Sequence, residues 1–124
     1  MHFELDKAIA VLERTPAVLK TYLKDLPSEW ILQNEGEDTW SPFDVVGHLI
    51  HGEKTDWIER ARIILSEGKD KPFTPFDRFA QFEASKGKTI DQLLGQFETL
   101  RAQNISALKA LNITVKELVL KGVH

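Results

Sequence analysis

Two histidines three residues apart, His48 and His51, sit in the run Trp40-Ser41-Pro42-Phe43-Asp44-Val45-Val46-Gly47-His48-Leu49-Ile50-His51-Gly52-Glu53. On a helix that spacing carries both imidazoles on one side, and neutral imidazole nitrogens at i and i+3 can share one divalent metal. Asp44 and Thr55 fall within the same narrow stripe, so Asp44 or Glu53 could act as a ligand, orient an imidazole or serve as a base. A second reading is a solvated polar face, because Glu59 and Arg62 share that side, and spacing alone favours it. An H-x-x-H pair supplies only two ligands, whereas a catalytic zinc usually takes three from the protein plus water. The third has to come from elsewhere. His2 and His124 stand at the ends of the chain, where order is weakest, and read as residues without a role. Asp77, Arg78 and Glu83 could bind a substrate carboxylate, but a surface ion pair is the commoner outcome for such charges. Trp40 and Trp57 read as core or as site wall. No nucleophile elbow, P-loop, dinucleotide fingerprint or H-E-x-x-H signature is present.

The helix that carries the imidazoles has a well-specified start. Ser41 is a good N-cap, Pro42 suits the first helical position, and Asp44 stands where a capping-box carboxylate reaches back. The pattern predicts a helix from Pro42 to about Glu67, stopped by Gly68 and Lys-Asp-Lys-Pro, with an apolar arc wide enough for more than one neighbour. Before it, Leu5, Ile9, Leu12, Pro16, Leu19, Leu23 and Leu26 keep one helical phase, which Thr15-Pro16 is expected to kink or restart. After it, Thr89 and Gln92 form a capping box that opens a helix through Leu93, Leu94, Phe97, Leu100, Ile105 and Leu108, closing near Leu111-Asn112. Thr114 and Glu117 can cap one more short turn. No sustained period-2 alternation or hairpin turn occurs, so the fold class is all-α. Loops over residues 27–40 and 69–88 separate the long helices, and loops of that length often cover a site. The second carries Phe73, Phe76, Phe79 and Phe82 at three-residue intervals, read as a cover packed down on the bundle.

The 124 residues carry a net charge of −3 with Lys and Arg scattered, which argues against a nucleic-acid binder. The absence of cysteine excludes disulfides, thiolate nucleophiles and Cys-ligated zinc, and fits a reducing cytoplasm. Residues 1–26 lack both a long apolar stretch and a small-residue cleavage site, so they read as an amphipathic helix, with neither a signal peptide nor a membrane span.

These residues resemble a known family. Trp40-Ser41, His48-Leu49 eight residues after that tryptophan, Glu53 and Trp57 are similar to the second-helix signature of the DinB-like, or YfiT-like, metalloenzyme superfamily. The Leu26-Pro27-Ser28-Glu29-Trp30 turn and the Phe76-Asp77-Arg78-Phe79-Ala80-Gln81-Phe82 segment resemble one of its bacterial branches. The resemblance implies an up-down four-helix bundle with a divalent metal, nickel, zinc or iron, held by three histidines. Relatives include thiol-dependent S-transferases and a maleylpyruvate isomerase. By position, His48 corresponds to the first metal histidine, and His51, with no fixed counterpart, becomes a neighbour beside Asp44, Glu53, Trp57 and Arg78. The other two ligands belong four residues apart on the last helix, after a Gly-x-x-His-Pro-like stretch. Lys121-Gly122-Val123-His124 stands about where that stretch begins, so His124 resembles the loop histidine ahead of that helix.

The expectation is one DinB-like domain over residues 1–124, with three long helices, no fourth, and a metal site that this chain alone does not complete. An uncovered groove would then favour association, as a dimer through the faces of the second and third helices, or mark a fragment of a longer protein. The leading function is a cytoplasmic, divalent-metal-dependent enzyme of hydrolase or thiol S-transferase type, acting on a small molecule that the sequence does not name. The competing class is a non-catalytic helical module that binds a partner or a small ligand.

Overall fold

The computed structural model describes residues 3–66 and 71–123. Every regular element there is a helix: α1 (Leu5–Leu23), α2 (Ser28–Leu32), α3 (Pro42–Thr55), α4 (Trp57–Leu65), α5 (Ala80–Ser85) and α6 (Ile90–Ala110), followed by a 3₁₀ turn at Glu117–Val119. The apolar phase of α6 runs between its two neighbours, so α6 packs against both α1 and α3. On one side Val46 and Ile50 meet Leu93, Leu94 and Phe97. On the other, Ile9 and Ile58 meet Ile105 and Leu108. Each fully buried side chain of this kind contributes about 1.5–3 kcal/mol relative to exposure, which makes α6 the spine of the fold.

Both predicted capping boxes form. The Asp44 N–H donates to Ser41 Oγ (3.1 Å) and the Ser41 N–H to Asp44 Oδ2 (3.0 Å). At α6 the Gln92 N–H donates to Thr89 Oγ1 (3.2 Å) and the Thr89 N–H to Gln92 Oε1 (2.9 Å). The short turn after α6 is capped by Glu117, whose Oε1 accepts from the Thr114 N–H at 2.9 Å.

Four expectations need correction. First, Pro16 does not break α1, which runs as one helix from Leu5 to Leu23 with Pro16 buried inside it. Proline offers no N–H to the Leu12 carbonyl four residues back. Arg101 Nη1 donates to that carbonyl instead, at 2.9 Å. Second, the helix expected over Pro42 to Glu67 is two: Asp56 leaves helical geometry (φ −112°, ψ −92°) between α3 and α4. The Glu53 carbonyl, which a continuous helix would offer to the Trp57 N–H, accepts from Asn104 Nδ2 at 2.7 Å. Two polar residues of α6 thus satisfy backbone carbonyls left free at the Pro16 position of α1 and at the break between α3 and α4. The predicted stop at Glu67–Gly68 lies outside the described residues, as do His2 and His124. Third, each long loop contains a short helix, α2 in residues 27–40 and α5 in residues 69–88. Fourth, the four phenylalanines do not all pack down: Phe73 and Phe76 are half-buried, whereas Phe82 is exposed and Phe79 is 70% exposed.

Candidate metal and ligand site

Ser41 fixes where α3 begins, and that fixes the faces on which His48 and His51 stand. Trp40, just ahead of the cap, brings its ring within 5.0 Å of the His48 ring. Phe76 lies against both imidazoles, edge-on to His48 at 5.3 Å and tilted against His51 at 4.8 Å. Phe82 meets Trp40 edge-on at 6.2 Å and extends the aromatic wall. Both histidines are half-buried, and His48 Nδ1 and His51 Nε2 are cut off from solvent with no hydrogen-bond partner. An unsatisfied buried polar atom costs about 1–3 kcal/mol, and sites that bind something at those atoms are where such a cost persists.

The wall is positioned by close packing of α5 on α3. A Cβ at Gly47 would come within 2.6 Å of Ser85 Oγ and 3.7 Å of Ser85 Cβ, so the absence of a side chain at position 47 leaves room for the Ser85 hydroxyl as observed. Gln81, buried between the two helices, donates through Nε2 to the Asp44 carbonyl at 3.1 Å. Asp77 Oδ1 accepts from the N–H groups of Phe79 (3.0 Å) and Ala80 (3.2 Å), fixing the turn between Phe76 and the start of α5 at Ala80. On the other side of Phe76, the Phe73 N–H donates to the Val123 carbonyl (2.7 Å) and the Val123 N–H to the Lys71 carbonyl (2.8 Å). The Phe73 ring fills the space that a side chain at Gly122 would need, and Arg60 lies over that ring at 4.9 Å.

The structure brings His48, His51 and Trp40 together, but it engages the other candidates elsewhere. Asp44 is held by the capping box. Thr55 is exposed and donates to the His51 carbonyl at 2.8 Å. Arg78 is exposed, and no ion pair joins it to Glu83 or to Asp77, whose Oδ1 accepts from backbone N–H groups. The expected surface pair is thereby corrected. Glu53 and Trp57 belong to a buried network: the Glu53 carboxylate, with its side chain 1% exposed, accepts from Arg101 Nε and from Trp57 Nε1. Both Glu53 oxygens are taken, so the carboxylate is a structural anchor. Arg101 is the residue that sequence reasoning missed. It occupies the apolar phase of α6 with Leu94, Phe97, Ile105 and Leu108, and a charge in that phase signals a buried partner.

Two imidazoles are what this arrangement offers a metal. Among the described residues there is no group of three or more His, Cys, Asp or Glu able to hold an ion. The orphaned nitrogens fit a metal-binding role in kind, since imidazole nitrogen suits nickel, zinc and iron, but they form only part of a coordination shell. No helix among the described residues is long and apolar enough to cross a membrane.

The family model of the DinB superfamily matches residues 11–117. Among solved structures, the chain is similar to YfiT from Bacillus subtilis, whose structure is described as a probable metal-dependent hydrolase with an unusual four-helix bundle topology. The similarity has a TM-score of 0.74 at 24% identity and covers 94% of this chain and 67% of that one. No curated protein matches the chain.

Proposed function

Because the chain belongs to the DinB superfamily, we propose that it is a divalent-metal-dependent enzyme acting on a small molecule, within one domain over residues 1–124. The observation that carries this reading is the pair of solvent-excluded, unpartnered nitrogens on His48 and His51. His48 is the metal ligand and His51 its neighbour, with Phe76 against both imidazoles and Trp40 against His48. The description of YfiT as a probable metal-dependent hydrolase supports the same reading. A metal there would polarise a substrate oxygen or activate water or a thiol, which suits hydrolysis and thiol S-transfer alike. The protein groups hold an imidazole in place and exclude water, and Asp44 contributes by fixing the start of the helix, not by reaching the ion.

Elemental analysis of protein purified without added metal tests this directly. Wild type is expected to carry nickel, zinc or iron, and His48→Ala to lose most of it. Equal metal content in the two would exclude His48 as a ligand.

A second reading, a non-catalytic interaction module, is favoured by one observation. Val11, Val18 and Tyr22 form an apolar stripe on α1 that is 68%, 51% and 72% exposed. On that reading His48→Ala changes stability by no more than about 0.5 kcal/mol, as at ordinary surface positions, and leaves metal content alone.

A further inference from the structure

We propose that Phe76 is the gate of this site: its ring covers the one solvent-excluded nitrogen of each half-buried imidazole, His48 Nδ1 and His51 Nε2, and a ligand reaches those nitrogens when residues 74–76 swing aside. The proposal rests on the reading of the site as a metal centre only for the identity of that ligand.

One ring covers two imidazoles one turn apart, and each imidazole has a nitrogen with neither solvent nor partner. Closure therefore gains ring contacts while leaving two hydrogen bonds unmade. These opposing contributions are of the same order, so the closed state is only weakly preferred. The backbone is built for local opening. Thr74, Pro75 and Phe76 make no backbone hydrogen bond to another described residue, whereas both flanks are pinned. On one flank residues 71–73 pair with Val123, Phe73 seats on Gly122, and Lys71 Nζ donates to the Ile64 carbonyl. On the other, Asp77 Oδ1 holds the Phe79 and Ala80 N–H groups just ahead of α5, and α5 packs on α3 at Gly47 and through the Gln81–Asp44 hydrogen bond. A short unbonded stretch between two fixed points can move without disturbing either, which is where low-energy local opening is found. The closed wall also ties the C-terminal residues to the site, because Gly122 and Val123 hold the segment from which Phe76 projects.

Excess diethyl pyrocarbonate acylates each half-buried imidazole first at its accessible nitrogen and a second time only when the shielded nitrogen is reached, so this second acylation, read by mass spectrometry of modified peptides, reports the gate without any metal. Phe76→Ala is expected to raise the rate of this second acylation at His48 and His51 by about tenfold over wild type, with Phe76→Leu between the two. Equal rates in all three proteins, with helical circular dichroism unchanged, would overturn the gate. If Phe76→Ala loses its helical signal, Gly122→Ala decides instead. Its methyl group collides with the Phe73 ring, so acylation accelerates if the pinned flank holds the gate shut, and an unchanged rate overturns the proposal. Nickel ion alone, followed by the part of the tryptophan quenching that Trp40→Phe abolishes, separates this inference from the metal reading. Faster acylation in Phe76→Ala with no nickel quenching in any variant supports the gate and removes the metal site. Nickel quenching at equal rates, together with equal acylation, removes the gate and keeps the metal site.

Discussion

Glu53 and Arg101 hold the three long helical segments together at one point. The carboxylate accepts from Arg101 and Trp57, and the guanidinium reaches on to the carbonyl that Pro16 leaves free in α1. Removing one partner leaves a buried charge uncompensated, so Arg101→Met should cost about 3–5 kcal/mol in urea denaturation. Pairing it with Glu53→Gln should cost less than the sum of the single changes, since neither charge is then stranded. A loss below about 1 kcal/mol for Arg101→Met would mean that water already shares the pair. At this scale the sequence was legible where a residue acts locally. The Ser41–Asp44 and Thr89–Gln92 boxes depend on four consecutive positions and could be read directly. Glu53 and Arg101 lie 48 residues apart. Helical spacing sets Glu53 off the face of His48 and His51, but it could not show that Arg101 is the partner the carboxylate turns to.

Among the elements, α1 and α6 were readable because periodicity persists over 19 and 21 residues. α2 and α5, at 5 and 6 residues, are too short to show a period and are ordered by what they pack against. The interruption at Asp56 carries neither glycine nor proline as a signal, and Asn104 of α6 supplies the partner for the carbonyl before it. Two glycines of α3 give a paired prediction. Gly47→Ala drives a methyl group toward Ser85 Oγ, forces that buried hydroxyl or α5 to shift, and is expected to destabilise by about 1–3 kcal/mol. Gly52→Ala meets nothing within 4 Å. It should stabilise the helix by up to about 1 kcal/mol on propensity alone. Thermal melts of the two variants check the pair, and a Gly47→Ala protein as stable as wild type would show that α5 does not lock the wall.

For the whole molecule, the sequence pointed to association through the second and third helices. The structure redirects that expectation, because the apolar phase of α6 is buried between α1 and α3. The exposed apolar side chains of the long helices are Val11, Val18 and Tyr22 on α1 and Val45 on α3. We propose that a dimer, if formed, uses the α1 stripe, so that Val18→Glu shifts light-scattering mass from dimer to monomer while the helical signal stays intact. A wild-type monomer at all concentrations would dismiss the dimer. The central claim, that His48 is a ligand in a divalent-metal centre, is tested most directly by the metal-to-protein ratio after purification without added metal. The account predicts a metal-bearing wild type, a His48→Ala variant stripped of most of that metal with its helices intact, and an Asp77→Ala control that keeps it. A His48→Ala protein carrying as much metal as wild type would contradict it.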